Sequence, residues 1–141
     1  MKRAPELSGL SRDHHTALVL ARRARQASES DDRTAHAEWA YIIEYYHAEL
    51  EPHFRIEEEA LLPALAAAGE TILVERALNE HAQLRTLVLE RTADSLSDFA
   101  DQLQNHVRFE EQVLFQRAQA VVDAETLATV AQLYDARRSG Q

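Results

Sequence analysis

The sequence predicts an all-α fold: an antiparallel up-down four-helix bundle with a short C-terminal helix. Three observations support this fold class. Glycine and proline occur only three times each in 141 residues, while residues that favour helix dominate the composition. Apolar residues recur at spacings of three and four, which is typical of amphipathic helices. The polar breaks between these stretches are short, and short connections make consecutive helices antiparallel neighbours.

A polar break separates the first two predicted helices. The first covers about residues 8–27, and the second covers about residues 34–68. We expect Asp32 or Thr34 to cap the second helix, because short polar side chains accept hydrogen bonds from the first free backbone N–H groups. Gly69 suits the position just after its last turn.

Two prolines lie inside the second predicted helix. Pro52 predicts a kink near residues 48–52, because proline removes one backbone hydrogen bond and its ring crowds the preceding turn. Pro63 is expected to bend the last turns in the same way.

The remaining helices follow after short breaks. The third is predicted over about residues 71–92, and the fourth starts at Ser95 or Ser97. Asp123 is a plausible N-cap for the final amphipathic segment.

Length and composition limit the domain organisation and the partners. We expect one domain over residues 1–141, with the bundle over about residues 8–120 and a helical tail over residues 121–138. The net charge of −9 argues against binding to nucleic acid or to an anionic membrane. No signal peptide and no stretch near ~20 apolar residues is visible, so the cytoplasm is the expected location. The chain contains no cysteine, so nitrogen and oxygen atoms would have to hold any metal.

A ten-residue phrase of the form H-x-x-x-E-E occurs twice, once from His53 and once from His106. Residues four apart lie on the same face of a helix. Each phrase therefore directs an imidazole and a carboxylate, His53 with Glu57 and His106 with Glu110, towards one place. One such pair alone would usually be a surface hydrogen bond, but the duplicate favours a metal site.

The other two long helices each carry an acid followed by a histidine, Asp13-His14 and Glu80-His81. Four imidazoles and two carboxylates would meet in the core, where charge is costly unless it is paired or bound to metal. Such ligands suit iron, manganese or zinc. Asp13, Glu80 and nearby glutamates are candidates to accept the second N–H of these histidines. The candidate metal ligands are His14, His53, Glu57, His81, His106 and Glu110.

Some assignments within this pattern stay open. The phase of the first helix favours His14 over His15, although either can be the ligand. Glu58 and Glu111 are expected in solvent or beside a ligand, but each can also be the metal ligand in place of the glutamate before it.

Other polar residues are expected to lie outside the site. His36 is expected at the surface. Glu44-x-x-His47 matches the ligand motif of ferritin-like proteins, but that scheme requires a second copy, which the sequence lacks. The aromatic residues expected in the core or in the wall of the site are Tyr41, Tyr45, Tyr46, Phe54, Phe99, Phe109 and Phe115.

The ordered set of motifs resembles the hemerythrin-like, or HHE cation-binding, domain over about residues 10–116. The resemblance implies a four-helix bundle that holds a non-haem di-iron centre with carboxylate and oxo or hydroxo bridges; manganese or zinc are the alternatives. The residues that carry the resemblance are Asp13-His14, His53-x-x-x-Glu57 with Glu58 and Leu61-Leu62-Pro63, Glu80-His81, and His106-x-x-x-Glu110 with Glu111 and Leu114-Phe115.

The sequence also departs from the oxygen carriers of this family. Arg85 stands where those proteins have a fifth histidine, and His106 is followed by glutamates at +4 and +5 instead of an aspartate at +5. The set is more similar to the iron-centre repair and iron-sensing branches, although the cysteine-containing N-terminal segment of the repair proteins is absent. Reversible oxygen carriage is therefore not the expected function.

The expected function is that of a di-iron protein that binds, senses or reacts with oxygen, nitric oxide or peroxide, or that serves iron homeostasis. An iron storage or transfer module and a metal-free structural bundle are the alternatives. The sequence leaves open whether the protein is an enzyme. The terminal helix, with Leu127, Val130, Leu133 and Tyr134, is either a homodimer face or a cap on the bundle.

Overall fold

The computed structural model describes residues 2–139. Within this range the chain forms five helices and no strand, which confirms the predicted all-α class. A short 3-10 turn, Pro5–Leu7, precedes the first helix. The helices are α1 (Ser8–Ser28), α2 (residues 32–67), α3 (Thr71–Glu90), α4 (residues 96–121) and α5 (Ala124–Arg138). Each of these helices is too short or too polar to cross a membrane.

The N-cap of α2 is Asp31, so the prediction of Asp32 or Thr34 was wrong. The Asp31 side chain accepts a hydrogen bond from the Thr34 backbone N–H at 2.8 Å. Asp31 has an extended backbone, with φ −83° and ψ 170°, whereas Asp32 already belongs to the first helical turn. Only the extended residue can turn its side chain back onto the free N–H groups.

We expect Asp31→Ala to lower the midpoint of thermal unfolding by several degrees, because the cap hydrogen bond is lost. Asp32→Ala keeps this cap and removes only a charge beside the helix N-terminus, so its effect should be clearly smaller. Thermal unfolding followed by circular dichroism compares the two. Equal shifts would contradict the assignment of the cap to Asp31.

The interruption predicted near Pro52 takes the form of a π-helical turn, Tyr46–Leu50. The flanking residues keep right-handed helical backbone angles, so α2 continues through it. Pro52 has no N–H to offer to the Ala48 carbonyl four residues earlier. That carbonyl accepts a hydrogen bond from Arg137 Nη1 of α5 at 3.4 Å instead.

Two further π turns, Glu57–Leu61 in α2 and Glu110–Leu114 in α4, begin at the first glutamate of each repeated phrase. Pro63 follows the first of these turns, but no proline follows the second. Proline is therefore not their common cause. Single π turns inside α-helices occur frequently at functional sites, and here the two copies give both glutamates the same local setting.

Buried apolar side chains form two clusters. α1 and α3 each contact both α2 and α4. The two clusters lie at opposite ends of the region where these four helices meet. The Trp39 cluster includes Ala17, Leu20, Trp39, Leu50, Phe54, Leu84, Phe99, Leu103 and Val107. The Phe115 cluster includes Leu7, Leu10, Ile56, Leu61, Ala77, Phe109, Leu114, Phe115, Val130 and Tyr134.

The terminal helix α5 packs against the rest of this chain. It contacts the Pro5–Leu7 turn, α1 and the middle of α2. Leu127, Val130 and Tyr134 are buried in these contacts. The apolar face of α5 is therefore used within the chain.

Tyr41 is an exception among the aromatic residues predicted in the core or wall. Its side chain is 43% exposed, and the Arg23 guanidinium lies 3.6 Å from its ring centroid. Tyr41 follows the helical phase of exposed residues on α2, so the expectation based on its aromatic character alone was wrong.

Candidate metal centre

The structure brings all six candidate ligands together between the two apolar clusters. Each of α1 to α4 contributes one histidine, and α2 and α4 also contribute one glutamate each. Glu57 and Glu110 are 0% exposed, and none of the four histidines exceeds 4%. His14 is buried in this group, whereas His15 is exposed.

The six side chains form two overlapping groups that share both glutamates. Atoms of His14, His53, Glu57 and Glu110 lie within 4.8 Å of one another, and this group defines the first position. Atoms of Glu57, His81, His106 and Glu110 satisfy the same limit and define the second position. Each position therefore has two histidines of its own and two carboxylates in common with the other.

Each histidine directs Nδ1 away from this centre, towards a carboxylate that is not one of the six. An ionised carboxylate can only accept hydrogen bonds, so each Nδ1 donates and each Nε2 faces the centre. The four contacts are His14 with Glu111 at 2.7 Å, His53 with Asp13 at 2.9 Å, His81 with Glu58 at 2.7 Å and His106 with Glu80 at 2.7 Å.

An arginine holds each of these four outer carboxylates in turn. The pairs are Arg3 with Glu111 at 3.1 Å, Arg137 with Asp13 at 3.2 Å, Arg85 with Glu58 at 2.8 Å and Arg76 with Glu80 at 2.9 Å. Four histidine–carboxylate–arginine chains thus surround the centre. Hydrogen bonds of this kind fix the orientation of an imidazole and make its free nitrogen a better metal ligand.

Several buried polar atoms at the centre form no hydrogen bond of good geometry. They are both carboxylate oxygens of Glu57, Oε2 of Glu110, and Nε2 of His81 and His106. Imidazole nitrogens lie 3.1 Å from both Glu57 oxygens and from Glu110 Oε2. Two carboxylates and four imidazole nitrogens directed at a common space are the donor set that a pair of cations would satisfy.

In the metal-free state, protons on the imidazoles balance the buried carboxylates. Burial by itself lowers the pKa of His106, but the nearby charge of Glu110 outweighs it and raises that pKa to about 9. For His81 burial also lowers the pKa, yet contacts with the carboxylates of Glu110, Glu57 and Glu58 raise it to about 11. Burial raises the pKa of Glu110, but contacts with His106, His14 and His53 bring it well below the usual value.

A small cavity borders the centre on the side of the Trp39 cluster. Its volume is 10 Å³, and one water needs roughly 10–15 Å³ of such space. Imidazoles from both positions line it, together with an apolar wall. The lining residues are Asp13, His14, Ala17, Leu50, His53, Phe54, Leu103, His106 and Val107.

Two phenylalanines fix the planes of two of the imidazoles. The Phe54 ring stacks on His81 with centroids 4.0 Å apart, and the Phe115 ring stacks on His14 at 5.3 Å. Both rings are almost fully buried. They therefore limit rotation of the histidine side chains and exclude water from the centre.

Arg85 does not reach the centre. Its guanidinium donates to Glu51 at 2.9 Å and 3.1 Å and to Glu58 at 2.8 Å and 3.1 Å. The position that carries a fifth histidine in oxygen carriers is thus occupied by a side chain that supports His81 through Glu58.

The other histidines predicted to lie outside the site are away from it. His36, His47 and Glu44 are exposed. Arg3, Tyr134 and Arg137, which reach the outer carboxylates, were not recognised from the sequence. Among the outer carboxylates, the signal for Glu58 and Glu111 was the second glutamate of each repeated phrase.

The helices and their buried centre define a helical protein with a histidine–carboxylate cluster suited to metal ions. A family model described as the hemerythrin HHE cation-binding domain matches residues 7–118. The chain belongs to this family, which confirms the resemblance seen in the sequence. Comparison with curated proteins and with solved structures finds no significant match.

Proposed function

We propose that the protein holds a pair of metal ions, iron in the first place, at the first and second positions. His14 and His53 would bind one ion, His81 and His106 the other, and Glu57 and Glu110 would bridge them. The observation that carries this proposal is the sharing of two buried glutamates between two groups of ligand atoms. A metal-free structural bundle would instead have to neutralise two fully buried glutamates with protons on the imidazoles, which lie 3.1 Å from both oxygens of Glu57.

We also propose that the chain is one domain, residues 1–141, built on an antiparallel up-down four-helix bundle. The order of the clusters supports this arrangement. Along α1 and α3 the chain passes from the Phe115 cluster, through the histidine, to the Trp39 cluster. Along α2 and α4 it passes through them in the opposite order.

We infer that oxygen, nitric oxide or peroxide binds in the cavity beside the centre. When bound, iron would supply the redox and ligand-binding chemistry. The chain's own contribution is to hold four imidazoles in fixed orientations and to exclude water with Leu50, Leu103 and Val107. The cavity is no larger than the space that one water needs, which argues against organic substrates.

Iron storage or transfer is the alternative function. Transfer requires that the ligands become accessible to a receiving protein. The six residues are 4% exposed or less, and each imidazole has an outer carboxylate that holds it in place. This burial favours a resident cofactor over a transferable ion.

Anaerobic reconstitution with Fe(II) tests the proposal. We expect about two irons per chain by metal analysis, one for each group of ligand atoms, and new absorption bands after exposure to air. His14→Ala should lose iron and change these bands. His15→Ala is the matched control, because His15 is the exposed neighbour, and it should retain the iron content of the unaltered protein.

The proposed function fails if the reconstituted protein holds well below one iron per chain. It also fails if His14→Ala and His15→Ala lose iron equally, because the loss would then come from general damage and not from the centre. Repeated oxidation and reduction with peroxide or nitric oxide would distinguish turnover from simple binding.

A further inference from the structure

The terminal helix α5 reaches the first position through Asp13. The Tyr134 hydroxyl donates to Asp13 Oδ1 at 2.9 Å, and Arg137 Nη2 donates to Asp13 Oδ2 at 3.2 Å. The same Oδ2 accepts the hydrogen bond from His53 Nδ1 at 2.9 Å. The orientation of His53 therefore depends on two residues of α5.

The segment before α1 reaches the other histidine of the first position. Arg3 Nη2 donates to Glu111 Oε1 at 3.1 Å and to the Glu111 backbone carbonyl at 2.7 Å. Glu111 Oε2 accepts the hydrogen bond from His14 Nδ1. Arg3, Tyr134 and Arg137 all lie outside residues 7–118, the part of the chain that the family model matches.

The second position is supported differently. Arg76 and Arg85, which hold the outer carboxylates of His106 and His81, both belong to α3 and lie inside the family match. They are also more exposed: 52% and 30%, against 14% for Arg137 and 19% for Arg3. The two positions therefore differ in where their outer arginines come from and in how far those arginines are exposed.

Residues of α1 and α2 accommodate the side chains that α5 directs towards Asp13. A Cβ atom at Gly9 would lie 2.5 Å from Cδ2 of Tyr134, so only glycine lets the Tyr134 ring pack against α1. Arg137 additionally donates to the Ala48 carbonyl, to which Pro52 offers no N–H, and to Glu49 at 3.3 Å. Three separate features outside α5 thus fit the two residues that hold Asp13.

We propose that Tyr134 and Arg137 are positioning residues that set the metal affinity of the first position and leave the second position unchanged. This proposal rests on the proposed function. It follows that the two positions are not equivalent, and that α5 stabilises the first position by holding Asp13. Loss of support to a metal-binding histidine typically weakens metal affinity by about 10–100-fold.

Co(II) titration in two backgrounds tests this proposal, because Co(II) gives visible absorption bands that report its ligands. His106→Ala disables the second position, and His53→Ala disables the first. Adding Arg137→Gln should weaken Co(II) binding by about 10–100-fold and shift the bands in the His106→Ala background. The same substitution should change neither affinity nor bands in the His53→Ala background.

Arg76→Gln is the matched control, because it removes the arginine of the His106 chain. It should weaken binding only where the second position is intact. Arg137→Lys keeps the charge but not the two-pronged geometry, so it should restore part of the affinity. Tyr134→Phe removes one hydroxyl and should lower the Co(II) affinity of the first position less than Arg137→Gln does. If Arg137→Gln does not fold, Tyr134→Phe is the variant that tests the proposal.

The possible results separate this proposal from the proposed function. If the unaltered protein binds no Co(II) or Fe(II), the proposed function itself is wrong. Suppose instead that the protein binds two ions, but Arg137→Gln and Tyr134→Phe leave the first position unchanged or weaken both positions alike. The proposed role of α5 is then wrong, although the metal centre itself is supported.

Discussion

Replacing Glu110 with glutamine is expected to remove metal from both positions at once. Glu110 belongs to both groups of ligand atoms, and it is 0% exposed. The amide keeps the shape of the side chain but removes the negative charge, and its NH₂ group meets the imidazole nitrogens as a second donor. Loss of one charge from a buried paired cluster costs about 3–5 kcal/mol, which corresponds to roughly a 150- to 4,000-fold loss of metal affinity.

Glu111→Gln is the informative comparison for this substitution. Glu111 lies one residue later, is 32% exposed and contacts Nδ1 of His14, the nitrogen that faces away from the centre. Its replacement should affect only the first position, by about 10–100-fold. Metal content of the two variants, measured side by side after reconstitution, distinguishes them. A larger loss for Glu111→Gln would mean that the +5 carboxylate is the ligand, as in the oxygen carriers.

The inward-facing residues could be predicted because they depend on the geometry of single helices. Residues four apart share a face whatever lies opposite, so each repeated phrase directs a histidine and a glutamate to the same side. His14 and His81 followed from the apolar phase of their own helices. The structure brings these residues into one buried group without rearrangement of any helix.

The outer contacts could not be predicted, because they join distant parts of the chain. Arg3 meets Glu111 across 108 residues of sequence, and Arg137 meets Asp13 across 124 residues. Such pairs depend on how the helices pack and have no local pattern. The role of α5 was open for the same reason, since the spacing of Leu127, Val130 and Tyr134 fits an intramolecular contact and a dimer face equally well.

The π turns show a second limit of sequence reasoning. Proline signalled an interruption near Pro52, but the turn that begins at Glu110 has no proline after it. The hydrogen bond that defines this turn, from the Phe115 N–H to the Glu110 carbonyl, therefore has no proline signal in the sequence. Similarly, composition could not distinguish Asp31 from Asp32 as a cap, because that choice depends on one pair of backbone angles.

Metal uptake at pH 7 is expected to release about two protons per chain or more, because metal binds only neutral imidazole. In the metal-free protein the pKa of His106 is about 9 and that of His81 about 11, so both carry an extra proton at pH 7. A metal ion must displace these protons. With two protons released, apparent affinity should rise roughly 100-fold per pH unit between about pH 7 and 9.

The same two histidines should make the metal-free protein less stable at high pH. A folded-state pKa above the unfolded value of about 6.5 adds stability that is complete below pH 6.5 and is lost as pH rises through the folded pKa. For His106 this stability is lost between about pH 6.5 and about pH 9, and for His81 between about pH 6.5 and about pH 11. The metal-free protein should therefore melt at lower temperature at pH 9.5 than at pH 6, and metal should remove most of this difference because the ions replace the protons.

Two measurements check these predictions. A pH indicator in weak buffer measures the protons released on Co(II) addition, and thermal unfolding across this pH range measures the change in stability. His47→Ala alters an exposed histidine and should change neither result. Metal uptake without proton release at pH 7 would contradict the prediction. It would mean that the imidazoles are already neutral and that the buried carboxylates are balanced in another way.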